Sequence, residues 1–143
     1  LRSNTANDDL EKCETISLGG DGIEYWSELF NNCDKNVSIR EPKELITAKV
    51  FRNAFLATKV SFFNQIFDYC KKTDINFDQV AQEICEDPRI GHSHTKVTKE
   101  RGFGGHCFPK DTVAILKSAD NNNVDLNIIR SAVEYNKQIR KSA

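Results

Sequence analysis

The sequence predicts a mainly α chain, a helical domain built around one long helix and preceded by a small β-α-β remnant of an α/β domain. Three observations predict it. Between Pro42 and about Lys72 there is neither proline nor glycine, and Leu45, Ala48, Phe55, Val60, Phe63, Ile66 and Phe67 fall on one broad helical stripe. Ahead of it, the β-prone run Thr15-Ile16-Ser17-Leu18 ends in Gly19-Gly20-Asp21-Gly22, after which Ile23, Trp26, Leu29 and Phe30 recur at helical spacing. A second alternating run, Val37-Ser38-Ile39-Arg40, is stopped by Pro42. Two strands and one helix seldom stand alone, so this front part reads as the end of a larger sheet domain.

The long helix begins at Pro42, a residue suited to a first helical turn. At 1.5 Å per residue it runs about 45 Å, enough to span two domains or enter a subunit interface. A third helix starts at Asn76, which can cap while Gln79 reaches back; it turns Val80 and Ile84 inward and stops before Pro88. Residues 88 to 106 show no sustained period, and loops of that length are usually functional or disordered. Pro109 then suits the first residue of a fourth helix carrying Val113, Leu116 and Ala119, which the asparagines at 121 to 123 end. Asp125 is placed to cap a last helix with Leu126, Ile129 and Val133 inward. Residues 1–41 and 42–143 are the two parts this reading predicts.

Composition narrows the function classes. The 143 residues carry 20 basic and 21 acidic side chains, a net charge of −1, which gives no electrostatic reason to expect nucleic acid or an anionic membrane as partner. Apolar runs are too short to span a bilayer, and no signal peptide is visible at the front. The five cysteines, at 13, 33, 70, 85 and 107, are odd in number and form no CxxC pair, which argues against a disulfide framework and for a reducing cytoplasm. With Leu1 first and no methionine anywhere, the chain reads as a fragment or a processed product.

The most informative segment is GFGGHCFPKD, residues 102 to 111. Its glycines allow close backbone approach to a ligand, and the proline marks a helix start that favours negative charge. Cys107 just before that start, with Lys110 near, is in the setting where thiolate nucleophiles are found; a small buried thiol is the plain alternative. Asp111, one turn on, could orient a water or act as a base, or simply complement the helix dipole. On the long helix Lys49 and Asn53 are four apart and point the same way, hardware for an oxyanion, although snorkelling lysines are commoner. His92, His94 and His106 with Cys107 do not match zinc spacing, so no metal is expected. The Gly19–Gly22 turn lacks GxGxxG and reads as an ordinary turn.

Taken in order, NAFLATKVSFFNQI (53 to 66), RIG (89 to 91) and GFGGHCFPKD (102 to 111) resemble the UDP-glucose/GDP-mannose dehydrogenase family, most closely its UDP-glucose 6-dehydrogenases. That resemblance implies an NAD-binding Rossmann domain ending at residue 41, followed by a central helical dimerisation domain that makes a homodimer through the long helix. It implies oxidation of UDP-glucose to UDP-glucuronate with NAD, in which Cys107 attacks the aldehyde intermediate, passes through a thioester and is released by water. Lys49 and Asn53 would steady the oxyanion or the water, with Asp111 as acidic partner. Arg89 would reach the sugar nucleotide of the neighbouring subunit, while Lys96, Phe103, Gly104 and Leu1 would lie against substrate and Lys110 against the cofactor. The family's glutamate before the match to Leu1, its dinucleotide glycine motif and its nucleotide-sugar domain are not among these residues, so the isolated chain is expected to be inactive. His106 stands where the UDP-glucose enzymes commonly have serine, which leaves GDP-mannose or a UDP-N-acetylhexosamine as alternative substrates. Two further readings are a helical dimerisation module without chemistry, and a stand-alone thiol enzyme pairing Cys107 with His106.

Overall fold

The computed structural model describes residues 6–141, in the order α1 (Ala6–Lys12), β1 (Thr15–Leu18), α2 (Ile23–Asn31), β2 (Asn36–Ile39), α3 (Pro42–Lys72), α4 (Phe77–Glu86), α5 (Cys107–Asn121) and α6 (Asn127–Lys141). It is mainly helical, with one two-stranded sheet before the long helix. The chain forms two compact units that divide within α3, between Lys49 and Val50.

In the first unit β1 and β2 pair parallel, Thr15 opposite Asn36 and Leu18 opposite Ile39, with α2 as the crossover. The β1–α2 turn needs glycine at 19, where a Cβ would lie 2.5 Å from the Arg40 carbonyl oxygen. Helix α1 has no apolar stripe to announce it. It has acids in its first turn and Lys12 in its last, and Lys35 Nζ closes its end by donating to the carbonyls of Glu11 (2.8 Å) and Cys13 (2.9 Å). No residue of α2 is buried, and Trp26, Leu29 and Ile39 stay exposed.

In the second unit the ring of Phe103 is buried with Ala57 of α3, Leu116 of α5 and Val133 of α6, and Val60, Phe108, Leu126 and Ile129 pack around them. Helix α4 lies on α3 through the edge-to-face pair Phe67–Phe77, centroids 5.3 Å apart. Asn76 caps it as expected, its Oδ1 accepting the Gln79 N–H at 3.2 Å. At the end of α5, Asn123 takes φ 55° while Val124 N–H returns to Ala119 O (3.0 Å) and Asn123 N–H to Asp120 O (3.2 Å), a Schellman close.

Three sequence expectations shift. The buried face of α3 is Ala54, Ala57, Ser61 and Asn64 with Phe63 and Cys70, whereas Phe55 is 66% exposed: small side chains let neighbouring helices approach, and the large aromatics turn away. Helix α5 begins at Cys107, two residues before Pro109, because first-turn N–H groups have no intrahelical partner and proline costs nothing there; on it Val113 is exposed and Thr112 is buried instead, its hydroxyl bonded to Phe108 O at 2.8 Å. Helix α6 starts at Asn127 rather than after Asp125, with Leu126 O accepting the first helical bond, from Arg130 N–H at 2.9 Å.

Candidate active site

Cys107 is the first residue of α5, exposed, and His106 before it makes no side-chain capping bond. The N–H groups of a helix's first turn have no intrahelical partner and carry the positive end of its dipole. One turn on, Asp111 is 2% exposed, and its partners include Lys110, whose Nζ lies 2.8 Å from Oδ1, and Asn53, whose Nδ2 donates to Oδ2 at 2.6 Å. The hydrogen bond to Asp111, then its charge, raises the Lys110 pKa, with a further contribution from Cys107. Ammonium, carboxylate and amide are thus members of one polar chain joining α5 to α3, and the Cys107 thiol acts on its ammonium end through charge. Lys49 precedes Asn53 by one turn on α3.

The remaining candidates are placed separately. Arg89 is 87% exposed on its side chain and bound to Asp87 of its own loop, Nε to Oδ1 at 2.9 Å, a contact that holds the Asp87 carboxyl below its ordinary range. Lys96 is exposed. Phe103, expected against substrate, sends its ring into the core. Gly104 is half-buried, and a Cβ there would stand 2.9 Å from the Arg140 guanidinium. Leu1 lies outside the described residues.

Several residues that sequence reasoning passed over hold the loop ahead of Cys107. Asn64 Oδ1 accepts from Arg101 Nε (2.8 Å) and Gly102 N–H (3.1 Å). Asn136 grips Phe103 at both ends, Oδ1 accepting its N–H at 2.7 Å and Nδ2 donating to its carbonyl at 3.0 Å. Arg101, in the left-handed region at φ 55°, pairs with Asp68 at 2.7 Å and lies 4.8 Å over the Phe67 ring. Tyr135 donates to the other Asp68 oxygen at 2.6 Å. Upstream, Lys59 Nζ donates to the carbonyls of Ile90 (2.6 Å) and Gly91 (3.1 Å), and so fixes the residues next to Arg89. His94 lies tilted on Phe108, and burial, then the Lys59 charge, pushes its pKa below the usual value. The available signal was an amide where a helix stripe reserves an apolar residue: Asn136 is seven beyond Ile129 and three beyond Val133.

An exposed thiol at a helix start, with a buried carboxylate–amide pair one turn on, is set on a helical domain, and the chain belongs to the UDP-glucose/GDP-mannose dehydrogenase family, whose central-domain model matches residues 44–138. Among its relatives, the UDP-glucose 6-dehydrogenase of Rhizobium meliloti is 35% identical over 146 residues, covering 95% of this chain and 32% of that protein. UDP-glucose 6-dehydrogenase TuaD of Bacillus subtilis is 40% identical over 100 residues, 70% of this chain and 21% of that protein. The solved UDP-glucose dehydrogenase of the hyperthermophilic archaeon Pyrobaculum islandicum superposes with a TM-score of 0.82 at 28% identity, over 96% of this chain and 32% of that one. The chain therefore spans about a third or less of the length of these relatives. Among the described residues no helix is long and apolar enough to cross a membrane.

Proposed function

We propose that this chain supplies the central domain (42–143), and the end of the NAD-binding domain (1–41), of a cytoplasmic dehydrogenase that oxidises UDP-glucose to UDP-glucuronate. The observation that carries the proposal is the exposed Cys107 at the start of α5 beside the Lys110–Asp111–Asn53 chain. In this reading a first hydride removal, with loss of the hydroxyl proton, turns the C6 alcohol into an aldehyde, and the Cys107 thiolate adds to it, forming a hemithioacetal whose oxyanion is met by the Asn53 amide and the Lys49 ammonium. Removal of the C6 hydride leaves a thioester. Water, oriented by Asp111, adds to its carbonyl; the C–S bond breaks, the carboxylate departs and the thiolate returns. Arg89 and Lys96 suit phosphates or hydroxyls of a nucleotide sugar, Arg89 that of a neighbouring subunit, and the loop carrying Phe103 and Gly104 frames it, with Leu1 assigned to the same substrate.

The described residues do not build a dinucleotide cradle. The β1–α2 turn carries Gly19-Gly20-Asp21-Gly22 in place of GxGxxG. NAD, the proposed hydride acceptor, is therefore assigned to other parts of the whole enzyme and, here, only to the exposed Lys110. The uncovered apolar residues of the first unit fit a larger sheet, and free thiols fit a reducing compartment. A homodimer through α3 is supported by its exposed aromatic row.

The test is a chimera in which this chain replaces the matching segment of the Rhizobium meliloti enzyme, assayed for NADH formation from UDP-glucose. We expect turnover by the chimera, a loss of at least about a thousandfold on Cys107→Ala, and none from the isolated chain. A chimera equally active with Cys107→Ala overturns the thioester reading, and one that folds and dimerises without turnover favours a purely structural module.

A further inference from the structure

We infer that Asn136 of α6, assisted by Asn64 of α3, is a positioning residue for the Cys107 nucleophile, clamping the backbone at 102–103 so that the first turn of α5 is held in place from upstream. The inference rests on the functional reading of Cys107 given above.

Helix α5 is fastened beyond Cys107, where Asp111 reaches Asn53, but its own cap does not fasten the other side: His106 makes no side-chain capping bond. Whatever fixes Cys107 from the N-terminal side must act through the preceding chain. Three consecutive residues there have their backbone groups taken by other helices. Arg140 donates to Arg101 O at 3.0 Å, Asn64 accepts from Gly102 N–H, and Asn136 binds both the N–H and the carbonyl of Phe103. Both amides are deeply buried, Asn64 at 1% and Asn136 at 7% exposure. Burying an amide is costly unless its hydrogen bonds are made, and mid-helix asparagine is a poor helix former, so plain packing would favour an apolar residue at either place. An apolar residue at 136 would instead leave a buried N–H and a buried carbonyl of Phe103 without partners. Phe103 is four residues from Cys107, a tether of at most about 14 Å, and its ring is locked in the core. The polarity of the two asparagines therefore serves the loop, and through it the place of the thiol.

Asn136→Asp tests this with almost no change of shape: the acceptor for Phe103 N–H stays, the donor to its carbonyl is lost, and a carboxylate faces that carbonyl. The readout is iodoacetamide labelling of Cys107 against pH in the whole chain, with exposed Cys33 as internal reference. In the wild type Cys107 should label faster than Cys33. In Asn136→Asp its rate at pH 7 relative to Cys33 should fall roughly tenfold as the first turn frays, and its pH profile should approach that of Cys33. Cys85→Ala, which removes a buried side chain of α4 in the same unit and none of the clamp's hydrogen-bonding groups, should keep the wild-type ratio. A folded Asn136→Asp chain with the wild-type ratio and profile overturns the inference. Should that variant not fold, amide exchange in the wild type decides: Gly102 and Phe103 should be protected and Gly105 should not, and a Phe103 amide exchanging as fast as that of Gly105 overturns the clamp. Equal labelling of Cys107 and Cys33 in the wild type would instead count against the thioester reading, leaving amide exchange to judge the clamp by itself.

Discussion

Gly102 shows how much geometry one residue can carry. Its φ is +57°, and a Cβ there would run into Asn136 Oδ1, with Ile139 Cδ1 a further 3.1 Å contact. Gly102→Ala therefore meets a backbone penalty and a steric one together, and the clamp must open to admit it. We expect a loss of about 3 kcal/mol in urea unfolding; a loss below about 1 kcal/mol would mean that the loop relaxes without cost. At this scale the candidate site was partly legible in the sequence. Cys107, Asn53 and Asp111 stand in motifs whose residue types suggest their chemistry, and the last two meet in space. Asn64 and Lys59 stand in one of the same motifs yet were not legible, because Lys59 binds backbone carbonyls and Asn64 a backbone N–H beside the distant Arg101 side chain, and backbone groups are the same in every residue and leave no mark in a sequence.

Helix α3 has two faces with different tasks. Ala54, Ala57, Ser61 and Asn64, spaced three and four apart, face the core. Phe51, Phe55, Phe62 and Tyr69 are exposed, the last three at intervals of seven, which is the spacing of a seam between helices. A row of large aromatics left in water is costly, and a second copy of the chain would cover it. Light scattering at micromolar concentration should give a dimer for the wild type and a monomer for the double variant Phe55→Lys, Phe62→Lys, both with native helical content. A wild-type monomer would count against the dimer. The sequence makes the length of α3 plain through its missing proline and glycine, but not which stripe is buried, since aromatic residues score as core whether they face their own domain or a partner.

Across the second unit, Asp68, Arg101 and Tyr135 tie α3, the loop and α6 together, and this gives stability a defined pH dependence. Burial, then the bond to Asp68, pushes the Tyr135 phenol from 10.0 up to about 12. Between those values the unfolded chain ionises first, so stability present below pH 10 is lost as pH rises toward 12, on the order of 1–2 kcal/mol after solvent screening. Burial raises the Asp68 pKa, but the Tyr135 and Arg101 bonds outweigh it and hold the carboxyl below 3.8. Its contribution is present above that pH and lost as pH falls through the lower native value. Urea unfolding across pH should show Tyr135→Phe without the alkaline loss and Asp68→Asn without the acid one; variants parallel to the wild type at both ends would remove the network from the account. For the molecule as a whole, the sequence by itself determined the helices from α2 to α6, the β-α-β order and the family motifs, because hydrophobic period, proline, glycine and capping residues act within a few residues of themselves; α1, which has no apolar stripe, left no such signal. Only the tertiary structure decided which face of α3 is buried, that the ring of Phe103 belongs to the core, and that Asn64 and Asn136 hold the loop before Cys107. Those outcomes depend on which groups from distant parts of the chain meet once water is excluded, and local pattern carries no record of that meeting.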